Sequence, residues 1–172
     1  MDISDIILNK AIKPKAKTEL LSKRLLDGSL RTDELTEFAS TAKDPVKATC
    51  IEALEFATKV NAAVLDKKAF HFVAENLRAK APRIKWESAR VIGNTAHLYK
   101  NDLDDAIRNL LENSEHEGTV VRWSAAFALG EILKLKTDYN KFLLPLILSI
   151  IRREDKSSIN KIYANAISNI YK

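Results

Sequence analysis

The stretch Val121-Arg122-Trp123-Ser124-Ala125-Ala126-Phe127-Ala128-Leu129-Gly130-Glu131-Ile132 decides the fold of this chain. Weaker copies of its helical pattern begin at Val46, Ile84 and Ile159, at offsets of 75, 37 and 38 residues from Val121. A period of about 20–50 residues is typical of solenoids, in which each unit buries its apolar face only by stacking on its neighbours. The sequence therefore predicts four stacked helical units.

The repeated helix carries its apolar side chains on one stripe. With about 3.6 residues per turn, positions 1, 5, 8, 9 and 12 of the pattern fall within a narrow arc. Many of these residues are small and would let neighbouring helices approach closely, so we expect the stripe to face the core. In chain order, its four copies are Val46, Cys50, Ala53, Leu54, Ala57; Ile84, Ser88, Val91, Ile92, Thr95; Val121, Ala125, Ala128, Leu129, Ile132; and Ile159, Tyr163, Ala166, Ile167, Ile170.

Composition agrees with an all-α fold. Hydrophobic residues make up 46% of the chain and charged residues 30%, as expected of a folded domain rather than a disordered tail. Only four glycines and four prolines occur, too few for the turns of a many-stranded sandwich or barrel. We predict one domain over residues 1–172, with two helices in each unit. Its parts are an N-terminal helical pair over residues 1–31 and repeats over about 32–62, 63–100, 101–136 and 137–172.

The repeated segment resembles the second helix of HEAT repeats. The resemblance rests on Asp44-Pro45-Val46-Lys47 and, in the clearest copy, on Val121-Arg122, Ala125-Ala126, Ala128-Leu129-Gly130 and Ile132. Where that pattern has glycine, the first copy has Glu55 and the fourth has Ser168. The resemblance implies an α-α superhelix of about four two-helix repeats. It also implies that the second helices line a concave surface used to bind another macromolecule.

The face opposite the core stripe holds the candidate binding residues. Both tryptophans of the chain fall there at matching positions of adjacent copies. Clustered Trp and Arg side chains are enriched in binding hot spots, so we expect an apolar anchor of a partner protein to bury itself there. The alternative is that the tryptophans turn sideways and pack between repeats. The predicted partner-binding residues are Trp86, Arg90, His97, Trp123, Phe127 and Lys134.

A nucleic-acid partner is the second hypothesis. Basic residues of the repeated helices would contact phosphates while the tryptophans stack on bases. Some HEAT-like proteins act on alkylated DNA in a concave cleft, so the resemblance implies a DNA- or RNA-binding module as the alternative. The nucleic-acid hypothesis ranks second because the chain has 28 basic residues and 23 acidic ones, a small basic excess, and because carboxylates lie on the same helices. The basic residues concerned are Arg83, Lys85, Arg90, Arg122, Lys134 and Lys161.

Signals of catalysis, metal binding or a cofactor do not occur. The three histidines are widely separated, and no His/Cys spacing fits a zinc site. No glycine-rich phosphate loop and no recognisable nucleophile context are present. We therefore predict no catalytic residue, no metal and no cofactor, and an enzymatic role is left open but disfavoured.

The single cysteine and the apolar segments bear on location and assembly. Cys50 lies in the core stripe, which suits a buried residue in a reducing compartment, and we expect a cytoplasmic protein. The first residues lack the pattern of a secretory signal. The longest nearly apolar run, Phe142 to Ile151, is far shorter than the roughly 20 residues that span a bilayer. Because that helix is apolar on most sides, a homodimer through it is left open.

Overall fold

The computed structural model describes residues 1–172 as ten α-helices and two short 3₁₀ helices, with no strand. The 3₁₀ helices, Ala62–Val64 and Ala96–Leu98, follow the fourth and sixth α-helices. The all-α prediction is confirmed. The α-helices are α1 (Ile3–Leu8), α2 (Pro14–Leu26), α3 (Thr32–Ser40), α4 (Asp44–Val60), α5 (Lys67–Asn76), α6 (Pro82–Thr95), α7 (Asp104–Asn113), α8 (Thr119–Lys134), α9 (Asn140–Arg153) and α10 (Ser157–Ile170).

The helices form two rows. The even-numbered helices stack in chain order, α2 on α4, α4 on α6, α6 on α8 and α8 on α10, and these are the most extensive contacts in the molecule. Each odd-numbered helix packs against the even-numbered helix that follows it, so the odd helices form the outer row. The N-terminal pair extends the same stack because α2 packs on α4. The architecture is a helical repeat solenoid with two α-helices in each unit.

The predicted core stripe is the buried side of the inner row. Of its twenty positions, all are buried except Val46, Ile167 and Ile170, which are partly buried. One continuous core of 41 residues runs from Ile3 to Ala166. Each unit thus buries its stripe against the next one, which is the packing that the repeat period predicts.

Proline and aspartate residues mark the starts of several helices. Asp44 is the first residue of α4 rather than its cap, and Lys43 precedes it without a side-chain cap. Pro14 separates the two helices of the N-terminal pair and opens α2, where its missing N–H costs nothing. Asp66 does cap a helix, because its carboxylate accepts the Ala69 N–H of α5 at 2.7 Å. These helix starts do not change which side of each helix faces the core.

Helix α9 keeps part of its apolar surface in solvent. Leu143, Ile147 and Ile150 are buried, whereas Phe142 and Leu146 are 47% and 43% exposed. The N-terminal pair lies at the opposite end of the stack and does not cover this face. No helix of the chain has both the length and the apolar character that a membrane crossing requires. A homodimer through α9 stays a prediction.

Candidate partner-binding groove on the inner helices

A groove opens between the first halves of α6 and α8, on the side of these helices opposite the core stripe. Its volume is about 340 Å³. The indoles of Trp86 and Trp123 are both partly buried, so each packs on the protein and still presents surface to the groove. The two hypotheses for the tryptophans are therefore compatible. The lining residues are Trp86, Arg90, Thr119, Val120, Trp123 and Ser124.

The Trp123 indole contacts both a cation and an aromatic ring. The Arg90 guanidinium carbon lies 5.6 Å from the centre of the Trp123 ring, within the range of a cation–π interaction. The rings of Trp123 and Phe127 are nearly parallel, with centroids 6.2 Å apart. This contact fixes one wall of the groove and orients Arg90 beside it.

Gly93 makes room for the aromatic pair. A Cβ atom at this position would lie 2.4 Å from Cε2 of Phe127, so only glycine lets the ring close over α6. Gly93 is buried for the same reason. The Phe127 side chain, which belongs to the next repeat, therefore covers this position.

Carboxylates of α4 and α6 lie beside the groove. The Trp86 indole N–H donates to Oε1 of Glu87 at 2.9 Å, whereas no protein group donates to Oε2 of Glu87. On α4, Glu52 accepts a hydrogen bond from Arg83 at 3.2 Å, and Glu55 is buried. The three side chains, Glu52, Glu55 and Glu87, are called the carboxylate cluster below. They do not form a group that could hold a metal ion.

Two members of the carboxylate cluster are buried without an ion pair. Glu55 and Glu87 are only 5% and 4% exposed, and no basic nitrogen lies within 4.0 Å of either carboxylate. Burial, followed by the charge of Glu52, raises the pKa of Glu87 to about 7. Burial also raises the pKa of Glu55, and the charge of Arg90 opposes that shift. Of these two side chains, Glu87 has a buried carboxylate oxygen without a donor, Oε2, and such an oxygen destabilises the free protein.

The six predicted binding residues do not all meet. Trp86, Arg90 and Trp123 line the groove, and Phe127 supports Trp123 from behind. His97 is exposed in the 3₁₀ helix after α6, and Lys134 is the last residue of α8, where it pairs with Glu131 at 2.9 Å. Lys134 lies eleven residues from Trp123, about 16 Å along the helix axis. The groove thus uses only the first half of the predicted face.

Two basic residues that the nucleic-acid hypothesis assigned to phosphate contacts instead form bonds within the protein. The Arg122 guanidinium binds both carboxylate oxygens of Glu154, at 2.9 and 3.3 Å, and the His116 carbonyl at 3.1 Å. The Lys85 ammonium donates to the Leu77 carbonyl and to Asn113 Oδ1. Both side chains tie the start of an inner helix to the outer row.

Sequence reasoning missed the burial of the carboxylate cluster. One signal existed, because Glu55 stands at the position that Gly93 and Gly130 take in the next two copies. The structure shows why this position matters, since the following inner helix closes over it: Phe127 over Gly93, and Ala166 against Gly130. A glutamate there is forced into the seam between two inner helices.

Comparisons with known proteins agree with the solenoid. No protein-family model matches the sequence, and no curated protein matches it either. Among solved structures, a designed armadillo repeat protein in complex with the peptide (KR)4 has a TM-score of 0.72 at 12% identity, covering 98% of this chain and 80% of that one. An engineered protein has a TM-score of 0.73 at 16% identity, covering 99% of this chain and 80% of that one. A second engineered protein reaches 0.72 at 18% identity, with 98% and 79% covered. At these identities the similarity establishes the fold.

Proposed function

We propose that this protein is a non-catalytic repeat scaffold that binds a segment of another protein in the groove between α6 and α8. The observation that carries the proposal is the pair of partly exposed indoles, Trp86 and Trp123, on neighbouring inner helices. Aromatic side chains beside an arginine are the residues that dominate binding energy at protein interfaces. The designed armadillo protein of similar fold, solved with a peptide, supports this use of the architecture.

Binding would bury an apolar anchor of the partner between the two indoles. Trp123 already has its orientation fixed by Arg90 and Phe127, so little side-chain entropy is lost when a partner docks. Thr119 is exposed at the edge of the groove and offers its hydroxyl to a partner, whereas the Ser124 hydroxyl donates to the Val121 carbonyl at 2.9 Å. Affinity and orientation thus come from different residues of the same groove.

The repeat subtype and the location are part of the proposal. Two α-helices in each unit, together with the Val121-Arg122 and Ala128-Leu129-Gly130 segments, support a HEAT-like subtype. A reducing cytoplasm suits the only thiol, because Cys50 is fully buried and burial raises its pKa to about 12. Such a thiol is a packing residue, unreactive at neutral pH.

Selection from a library of random displayed peptides tests the binding role. We expect wild-type protein to enrich peptides with a bulky apolar residue. Binding should weaken by about 30-fold or more when Trp86 or Trp123 is changed to Ala, because hot-spot truncations cost about 2 kcal/mol or more. Fluorescence anisotropy with the enriched peptides measures this loss.

The matched control is Tyr171→Ala, which removes a well-exposed aromatic residue far from the groove. Circular dichroism of each variant checks that the helices remain. Enriched peptides that bind the tryptophan variants as tightly as the wild type would refute the groove. Tight DNA binding that falls steeply with salt would instead favour the nucleic-acid hypothesis, whose residues Lys85 and Arg122 are occupied in the fold.

A further inference from the structure

We propose that the carboxylate cluster is a cation pocket, which accepts the ammonium or guanidinium group of a Lys or Arg side chain in the bound protein segment. This inference rests on the proposed function, because the cluster lies directly beside Trp86, one wall of the groove. It names a chemical feature of the partner: a basic residue next to the apolar anchor. Three independent observations support it.

The first observation is the unpartnered oxygen of Glu87. This side chain is 4% exposed, its Oε1 accepts the Trp86 indole N–H, and its Oε2 has no donor. Leaving a buried carboxylate oxygen without a hydrogen bond is expensive. A cationic group from a partner would supply the missing donor at the edge of the groove.

The second observation is the position of Glu55. In the next two copies of the repeat this position is glycine, so inner helices stack without any acid there. Glu55 is 5% exposed and has no basic nitrogen within 4.0 Å. Because packing does not require a charge at this place, and burial disfavours one, binding is the better explanation of the glutamate.

The third observation is the shortage of counterions around the cluster. The charged groups that act on Glu87 are Glu52 and Glu55 from α4 and Arg90 from α6. Arg83 is committed to Glu52, and Arg90 stacks on Trp123. No basic nitrogen is therefore paired with Glu55 or Glu87, and burial raises the pKa of both carboxyls because neither charge is compensated nearby.

The Trp86 indole, next to the cluster, can pack against the methylene chain of a lysine or arginine side chain. Lysine and arginine bury their methylene chains along apolar surface while the charged head reaches a polar partner. The Trp86 ring offers that surface, and its N–H already orients Glu87. A cation near the ring face also gains a cation–π contribution.

Small probes test the pocket without knowledge of the partner. In NMR titrations, N-acetyl-lysine methylamide and N-acetyl-arginine methylamide should shift the Trp86 indole N–H signal in a saturable way. The neutral isostere N-acetyl-citrulline methylamide should bind at least about tenfold more weakly, because it cannot form the buried ion pair. Glu87→Gln and Glu55→Gln should lose the preference for the cation. Glu131→Gln, on the neighbouring inner helix, is the matched control and should keep it.

The pH dependence supplies a second readout. Only ionised Glu87 pairs with the cation, so affinity for the lysine probe should fall as the pH drops from 8 to 6, and Glu87→Gln should flatten this dependence. Equal binding of citrulline and arginine probes, or no loss in either glutamine variant, would overturn the cation pocket.

The library selection separates the pocket from the groove. Enriched peptides that need Trp86 and Trp123 but contain no Lys or Arg would overturn the pocket and leave the proposed function standing. Cation probes that bind and depend on Glu87, together with no peptide that depends on the tryptophans, would overturn the proposed function and leave the cation pocket standing.

Discussion

Glu87 connects the buried seam between α4 and α6 to the open groove. Its carboxylate holds the Trp86 indole, and its own environment disfavours the charge that would bind a cation. Glu87 therefore destabilises the free protein and provides a polar group that can bind a cation. Strain of this kind is a recurrent feature of functional sites.

Replacing Glu87 by Gln should stabilise the protein above neutral pH. The folded-state pKa of about 7 exceeds the ordinary glutamic acid value of 4.5, so between these values the folded state holds more protons and ionisation costs stability as the pH rises. Gln removes that cost and still accepts the Trp86 N–H. Thermal unfolding should give a higher Tm for the variant at pH 8 and a smaller difference at pH 5. A Tm difference that does not change with pH would contradict the assignment, and Glu131→Gln serves as the control.

Gly93→Ala should disturb the groove through Phe127. The added Cβ would lie 2.4 Å from the ring, so the ring must leave its place beside Trp123, at a cost of about 1–3 kcal/mol. Gly130→Ala is the matched change, because its Cβ would lie 3.3 Å from Ala166 Cβ and 3.8 Å or more from Ile162. We expect a lower Tm and altered tryptophan emission for the first variant. Equal behaviour of the two variants would count against the close approach.

At the scale of the helices, the inner row is held by small residues and by ties to the outer row. Ala128 is fully buried on the stripe of α8, where α6 and α10 both pack. Arg122 joins the first turn of the same helix to Glu154, between α9 and α10. The stripe sets how closely the inner helices approach, and the arginine connects one unit to the next.

Ala128→Asp should unfold or severely destabilise the protein. The new carboxylate would be buried among apolar side chains with no partner, a change among the most damaging single substitutions. Ala164→Asp makes the same chemical change at an exposed position of α10 and should have little effect. Chemical denaturation measures both. A mild loss for Ala128→Asp would mean that the stripe is not the core side.

Arg122→Met should cost about 3 kcal/mol, because it leaves the buried Glu154 carboxylate unpaired. The side chains of Arg122 and Glu154 are 15% and 4% exposed, whereas those of Arg83 and Glu52 are 38% and 22% exposed. Arg83→Met should therefore cost less, within about 1 kcal/mol. Urea denaturation compares the two variants, and similar losses would argue against a special role of the Arg122 pair.

The core stripe was predictable because it depends on residue type and period alone, and Ala125, Ala128 and Leu129 would face a core in any stack of this kind. The first residues of the helices were less predictable, because both Lys43 and Asp44 can begin α4. Glu55 and Glu87 could be named as neighbouring acids, but not as buried ones. Their burial depends on how closely α4 and α6 approach, which no single helix reveals.

At the scale of the molecule, one core from Ile3 to Ala166 holds the inner row as a continuous stack. Similarity to designed repeat proteins at 12–18% identity shows that this stack is set by the pattern of helices rather than by particular side chains. The specific residues are thus free to differ on the inner face. The tryptophans, Arg90 and the carboxylate cluster lie at positions of this kind.

We propose that a protein segment binds between Trp86 and Trp123. Because these are the only two tryptophans of the chain and both line the groove, intrinsic fluorescence reports on this site alone. A peptide selected by the wild-type protein and free of tryptophan should change the emission in a saturable way, with the same Kd that anisotropy gives. A peptide that binds by anisotropy and leaves the emission of both indoles unchanged would show that partners bind elsewhere.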